Sequence, residues 1–302
     1  MRPVLIVLTI LVGVFASPTA RARADAPAAP DLSGFTTVST YPYVMGNELY
    51  FQTPDGLLCS IQPARGAAGC DGRVPGAPAE VDEIALSPDA STRGLLATAN
   101  HRFVKSTGNA APLLREGQKI VFGDFECAVG ADSFTACTKG QPVAQWMVVS
   151  PKGTAVGPAT PGLPPGFPDP NEFILGDETY IVGQGAKNLF PVFTVDGGLT
   201  CSIVVFSGGE LGCDGPLPFV FGGENEVYAQ LPGASGIRRT DAPKFATPRY
   251  PGPVKKLPVG HRVHGSDSIC MAIYGGVACV AMFDGATHGF EVTPSGVSTF
   301  GG

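Results

Sequence analysis

Charge is scarce in this chain. Asp, Glu, Lys and Arg make up 15% of its 302 residues, where about 25% is usual. Uninterrupted stretches are scarce as well. Gly (41) and Pro (29) fill nearly a quarter of the sequence, about twice their ordinary share. Beyond residue 24, the longest run free of both is 95–107. Gly weakens helix interiors and Pro breaks them, so helix bundles and coiled coils are excluded. Disorder is excluded by the opposite test, because 44% hydrophobic residues supply apolar surface for a core. Tryptophan occurs once, as Trp146. C-x-x-C, H-E-x-x-H, G-x-S-x-G and G-x-x-x-x-G-K-[ST] do not occur. The usual zinc-ribbon, thioredoxin, zincin, hydrolase-elbow and P-loop signatures are therefore missing.

Long apolar runs are limited to residues 4–16. That run follows Arg2 and precedes Ala22-Arg23-Ala24. A basic start, a short apolar stretch and a small-x-small site predict a cleavable signal peptide over 1–24. The run is too short for the roughly 20 residues of a spanning helix. The expectation is a protein secreted or held in the cell envelope, with no membrane span after cleavage. Cleavage removes three arginines and no acid, taking the formal charge from −6 to about −9. A nucleic-acid binder needs a basic footprint, and this chain has none.

What is present is a repeat. Phe51, Gly56, Leu57, Cys59, Ser60 and Ile61 fall on Phe193, Gly198, Leu199, Cys201, Ser202 and Ile203. Gly69-Cys70-Asp71-Gly72 falls on Gly212-Cys213-Asp214-Gly215, and Cys127 and Cys137 fall on Cys270 and Cys279. The four cysteine offsets are all 142 or 143. This predicts two tandem homologous modules, 25–157 and 171–302. A Pro-rich stretch over 158–170 joins them, of a composition suited to a spacer.

Eight cysteines in an exported chain imply disulfides. Residues facing each other in an antiparallel pair are equidistant from their turn, so each candidate pair predicts a turn position. Nearest-neighbour pairing puts all four midpoints in turn chemistry: at 64–65, 132, 207 and 274–275. The predicted bonds are Cys59–Cys70, Cys127–Cys137, Cys201–Cys213 and Cys270–Cys279, each stapling a hairpin. Short β-rich runs such as 48–53, 83–86, 102–105, 119–122 and 145–150 recur between turns. They predict all-β modules of sandwich or barrel-like form.

The pattern F-x-T-P-D-G-x-x-C-x-I at Phe51–Ile61, followed by Gly-Cys-Asp at 69–71, resembles a group of secreted actinobacterial, mycobacterial-type proteins of unknown function. In the second copy Val195-Asp196 stands where Thr-Pro is expected. The resemblance implies export and imports no catalytic residue.

Candidate chemistry is sparse. Asp71 and Asp214 precede Gly and read as Asp-Gly turns. His261-x-x-His264 on a strand points its two rings to opposite faces, so no metal site is expected. No cofactor is expected either. Glu172, Asp177, Glu178, Glu224 and Glu226 offer carboxylates for a hydrolase without indicating a pair. Phe219-Val220-Phe221 lies in a loop-rich stretch read as having no counterpart in the first copy. With Phe219 and Phe221 on one strand face, and Tyr41-Pro42-Tyr43 as a weaker case, these aromatics are the candidate binding residues, though core packing competes at each. The reading is a non-catalytic secreted protein acting by binding, or structurally, toward an envelope or extracellular ligand. The alternatives are a hydrolase of envelope or host polymers, with its cleft between the modules, and an inhibitor or host-interaction factor presenting a hairpin tip such as 63–66.

Overall fold

The computed structural model describes residues 28–89, 92–104, 111–176, 180–182, 190–204, 209–230, 232–246, 254–265, 267–283 and 285–301. The expected leader 1–24, Asp177, Glu178 and the turn at 206–208 lie outside the described residues. Among those described there is no α-helix, and the chain is all-β. Its first half runs β1 (Thr36–Thr37), β2 (Val44–Met45), β3 (Glu48–Gln52), β4 (Leu58–Gln62), β5 (Ala67–Asp71), β6 (Glu83–Leu86), β7 (Gly94–Ala97), β8 (Gln118–Phe122), β9 (Phe125–Val129), β10 (Thr135–Lys139), β11 (Gln145–Val149) and β12 (Ala155–Gly157). Its second half runs β13 (Ile174–Gly176), β14 (Ile181–Val182), β15 (Phe190–Thr194), β16 (Thr200–Val204), β17 (Glu210–Asp214), β18 (Glu226–Gln230), β19 (Ser235–Arg238), β20 (His261–Gly265), β21 (Ser268–Ile273), β22 (Gly276–Phe283), β23 (Ala286–Thr293) and β24 (Gly296–Phe300).

In the first half, strands β2–β7 and β8–β12 pack around one core, which contains Phe51, Ile61, Ile84, Ile120, Phe125 and Met147. In the second half, β14–β19 and β20–β24 surround another, with Phe193, Ile203, Leu211, Val263 and Phe290. Two disulfides lie in each core. All four bonds form as the turn midpoints require. Each joins directly opposed residues of an antiparallel pair, with Cα atoms 4.0–4.1 Å apart. Cys127→Ala with Cys137→Ala reopens the tie between β9 and β10, where about 3 kcal/mol of stability should be lost. A urea midpoint equal to that of the native chain would show that this bond adds nothing.

The fourth hairpin carries only small residues on its cysteine face, Ser268, Cys270 and Ala272. The structure explains this by burial on both sides. Cys270 and Ala272 face the second core, while Ile269 and Met271 join Phe167 in a separate cluster. Phe167 comes from the Pro-rich stretch and meets the Phe300 ring edge-on at 5.0 Å. Thr160, Phe167 and Asp169 are buried, so this stretch is packed against the sheet and is no free spacer. The run expected at 102–105 is not a strand; β7 sits earlier, at Gly94–Ala97. Lys105 lies outside the described residues.

The repeated Gly-Cys-Asp-Gly has a physical reason at each position. A Cβ on Gly69 would lie 2.3 Å from the Phe103 ring, and one on Gly212 would lie 2.2 Å from the Phe245 ring. The glycine thus admits a phenyl ring against the strand. The cysteine forms the staple. The aspartate reaches 31 or 32 residues onward: Asp71 Oδ2 accepts from Phe103 N at 2.5 Å, and Asp214 Oδ2 accepts from Phe245 N at 2.5 Å and Ala246 N at 2.7 Å. The last glycine has φ of +125° at Gly72 and +141° at Gly215, a backbone that L-residues avoid. Each Asp is therefore a clamp on a distant segment, where the sequence alone indicated a local turn.

The two halves share a sheet. Strand β13 pairs in parallel with β7 on one side, Ile174 opposite Leu95, and with β20 on the other, Ile174 opposite His261. This three-residue strand joins β2–β7 to β20–β24 in a single twelve-stranded sheet. In the first half β1 pairs in parallel with β8 in the same manner. At the seam the pairing residues are Leu95, Leu96, Ile174 and Leu175, whereas β1 offers the exposed Thr36 and Thr37. Exposed polar residues keep an edge strand from recruiting further strands.

Candidate functional site

The aromatic candidates separate cleanly. Phe219 is 68% exposed and Phe221 93% exposed. Val220 between them packs on the second core. The three form no strand; they lie in the loop between β17 and β18. That loop, 215–225, has the same length as its counterpart, 72–82, between β5 and β6, so the reading of a stretch without counterpart is corrected. By that register Phe219 occupies the position of Gly76. Gly76 has φ of +70° and Phe219 φ of +56°. Left-handed backbone is natural for glycine and costs an ordinary L-residue on the order of 1 kcal/mol or more. Here an aromatic residue adopts it and points into solvent. In the first half, Gly76 packs tightly beside Ser150 and Gly153 instead.

Tyr41 is 90% exposed. Tyr43 is not a surface residue: it is buried in the first core, and its hydroxyl donates to the Leu113 carbonyl at 3.2 Å. Two residues of alternation within a loop do not define a face, and Tyr43 is removed from the binding candidates. Trp146 is also core, covered by Gly157, where a Cβ would lie 2.2 Å from the indole. The hairpin tip at 63–66 is tied down, because Lys139 Nζ donates to the Gly66 carbonyl at 2.8 Å.

Buried acids form two matched pairs. Asp71 faces Glu83 across β5 and β6, and Asp214 faces Glu226 across β17 and β18. All four are buried. Each pair has one arginine: Arg102 Nε donates to Glu83 Oε1 at 2.8 Å, and Arg238 pairs with Glu226. The second pair sits near a third acid, Glu210, bound by Lys244. Burial, then the hydrogen bond and charge of Glu83, push the Asp71 carboxyl up to about 7. Burial and the hydrogen bond with Asp214 push Glu226 up as well. In each pair the facing carboxyl disfavours a second negative charge, which is why one member is raised. The signal in the sequence is the common offset of 143 that relates Glu83 to Glu226 and Asp71 to Asp214.

A cleft of about 440 Å³ opens at the seam between the halves. Asp82, Ala97, Thr98, Ala99 and His101 line it from the first half, and Gly176, Tyr180, Leu257, Pro258, His261 and Arg262 from the second. Asp82 Oδ1 accepts from Thr98 N at 2.9 Å. His101 Nδ1 lies 3.6 Å from Asp71 Oδ1. His101 and His261 are 160 positions apart, and nothing in the sequence links them. Among the described residues no group of three His, Cys, Asp or Glu is arranged to hold a metal ion. Asp71, Glu83, Asp214 and Glu226 do not line the cleft, and Glu172 and Glu224 stand apart from it. No helix of the described residues is long and apolar enough to cross a membrane.

No protein-family model matches this chain, and neither a curated protein nor a solved structure matches it.

Proposed function

We propose that this is an exported, non-catalytic binding protein of the cell envelope or extracellular space, which contacts its target through the loop carrying Phe219 and Phe221. The observation behind this reading is Phe219 itself. A large aromatic ring is held in a backbone conformation suited to glycine, and it is exposed rather than packed. Strain of this kind gathers where function demands a fixed presentation. Val220 anchors the loop to the core while the two rings flank it outward. Aromatic residues on a preordered loop give contact area at low entropic cost. Four disulfides and the absence of a membrane-spanning helix among the described residues are consistent with an extracellular setting. Residues 1–24 supply the proposed export signal.

Phe219→Ser with Phe221→Ser should leave the urea midpoint unchanged and lower retention on isolated envelope fractions by about tenfold or more, since solvent-exposed anchors contribute on the order of 1–2 kcal/mol each to binding. Equal retention with an intact fold would remove the loop from the contact. Phe219→Gly should moreover raise stability slightly, by relieving the left-handed backbone.

A further inference from the structure

We infer that the seam cleft is a second binding site, built for an uncharged polyhydroxylated ring such as a mono- or disaccharide. Its size falls in the range of small-molecule sites, about 300–1,000 Å³. It combines an apolar lining of Ala97, Ala99, Leu257 and Pro258 with a few polar groups from opposite walls. That mixture suits a ring with apolar faces and a hydroxylated rim.

The polar groups select further. Asp82 brings a carboxylate whose orientation is fixed by Thr98 N. The two imidazoles donate and accept, as do hydroxyl groups, and so match them in either sense. Arg262 lines the cleft as well, but its guanidinium is engaged by the protein. Arg262 is 2% exposed, and its guanidinium donates to the Arg93 carbonyl. A phosphate or carboxylate would thus meet the Asp82 carboxylate, while the one guanidinium of the lining is already engaged by the Arg93 carbonyl. A wholly apolar ligand would strip water from Asp82, His101 and His261 without replacing their hydrogen bonds. A cationic amine would gain Asp82 and lose to any protonated imidazole. A neutral sugar satisfies every group at once.

The cleft needs both halves, because His101 and Asp82 stand on one side of β13 and Tyr180 and His261 on the other. Its test is independent of the aromatic loop. The full oxidised chain is titrated with the methyl glycosides of glucose, mannose, galactose, arabinose and N-acetylglucosamine. Methyl phosphate, acetate and ethanolamine serve as charged probes. Imidazole proton resonances report binding, and His101→Gln and His261→Gln assign them among the four histidines of the chain. The expected result is a saturable shift of both the His101 and His261 signals by at least one glycoside. Its affinity should fall about tenfold in either Gln variant and stay unchanged in the Phe219→Ser, Phe221→Ser chain. The inference is overturned if no glycoside moves both signals, or if a charged probe moves them more strongly than any glycoside. If a Gln variant fails to fold, saturation of both signals in the native chain still decides the matter. Loss of envelope retention in the Phe variants with an intact glycoside shift would separate this site from the loop.

Discussion

Stability against urea should fall between pH 5 and pH 9 by on the order of 3 kcal/mol, and Asp71→Asn should remove most of that fall. The cause is the proton that Asp71 retains in the folded chain. In the folded chain burial and the facing Glu83 carboxyl hold the Asp71 proton to about pH 7, while an unperturbed Asp releases it near 3.8. Between those values the folded state carries more protons than the unfolded one. Stability therefore declines as pH rises through this window and levels off above about 7. The raised carboxyls of Glu226 and Glu291 act in the same direction. His264 opposes them: burial holds its imidazole below the usual value, so its contribution is lost as pH falls through 6.5 and below. Comparing the native chain with Asp71→Asn cancels these other groups. The asparagine amide oxygen can keep the bond from Phe103 N, and its N–H faces Glu83 without requiring a proton from solution. At pH 9 the variant should be the more stable chain. An unchanged pH slope in Asp71→Asn would place the titration elsewhere.

This acid pair also shows where the sequence was readable. Disulfide pairing was legible because hairpin geometry is local: facing cysteines demand a turn midway, and each midpoint lay at or directly beside Gly, Pro, Ser or Asp. Most strands were legible for the same reason. The seam was not. Strand β13 is three residues long and pairs in parallel with β7, some 80 positions earlier, so it has no turn and no periodicity to announce it. His101 and His261 reach one cleft only through that pairing. The Phe219–Phe221 loop misled in two ways. Alternation of aromatic and aliphatic residues mimics a strand, yet Pro218 and Gly222 close it into a loop. Its equal length with 72–82 follows from the register of Asp71 with Asp214 and of Glu83 with Glu226. Asp71 itself looked like half of an Asp-Gly turn because its true partner, Phe103 N, lies 32 residues away.

The second large effect should come from the glycine that precedes each clamped Asp. Gly69→Ala and Gly212→Ala are each expected to lower stability by on the order of 3 kcal/mol, with Gly34→Ala as a near-neutral control. A Cβ on Gly69 meets the Phe103 ring at 2.3 Å and the Ile84 carbonyl oxygen at 2.4 Å; on Gly212 it meets the Phe245 ring at 2.2 Å and the Val227 carbonyl oxygen at 2.5 Å. Rings could retreat from a methyl group, but the carbonyls belong to β6 and β18, which are paired on both sides or held against the strand by the buried acids. Movement of either ring also pulls on the Asp71 or Asp214 clamp, because the same Phe supplies the amide that the carboxylate binds. Packing strain and loss of a buried hydrogen bond are therefore coupled at one residue. Gly34 has open space around its Cβ position, so its substitution isolates the intrinsic effect of a methyl group. If Gly69→Ala and Gly34→Ala shift the urea midpoint equally, the phenyl ring is not seated on the strand, and the account of the Gly-Cys-Asp-Gly motif as a ring seat, staple, clamp and turn loses its first member.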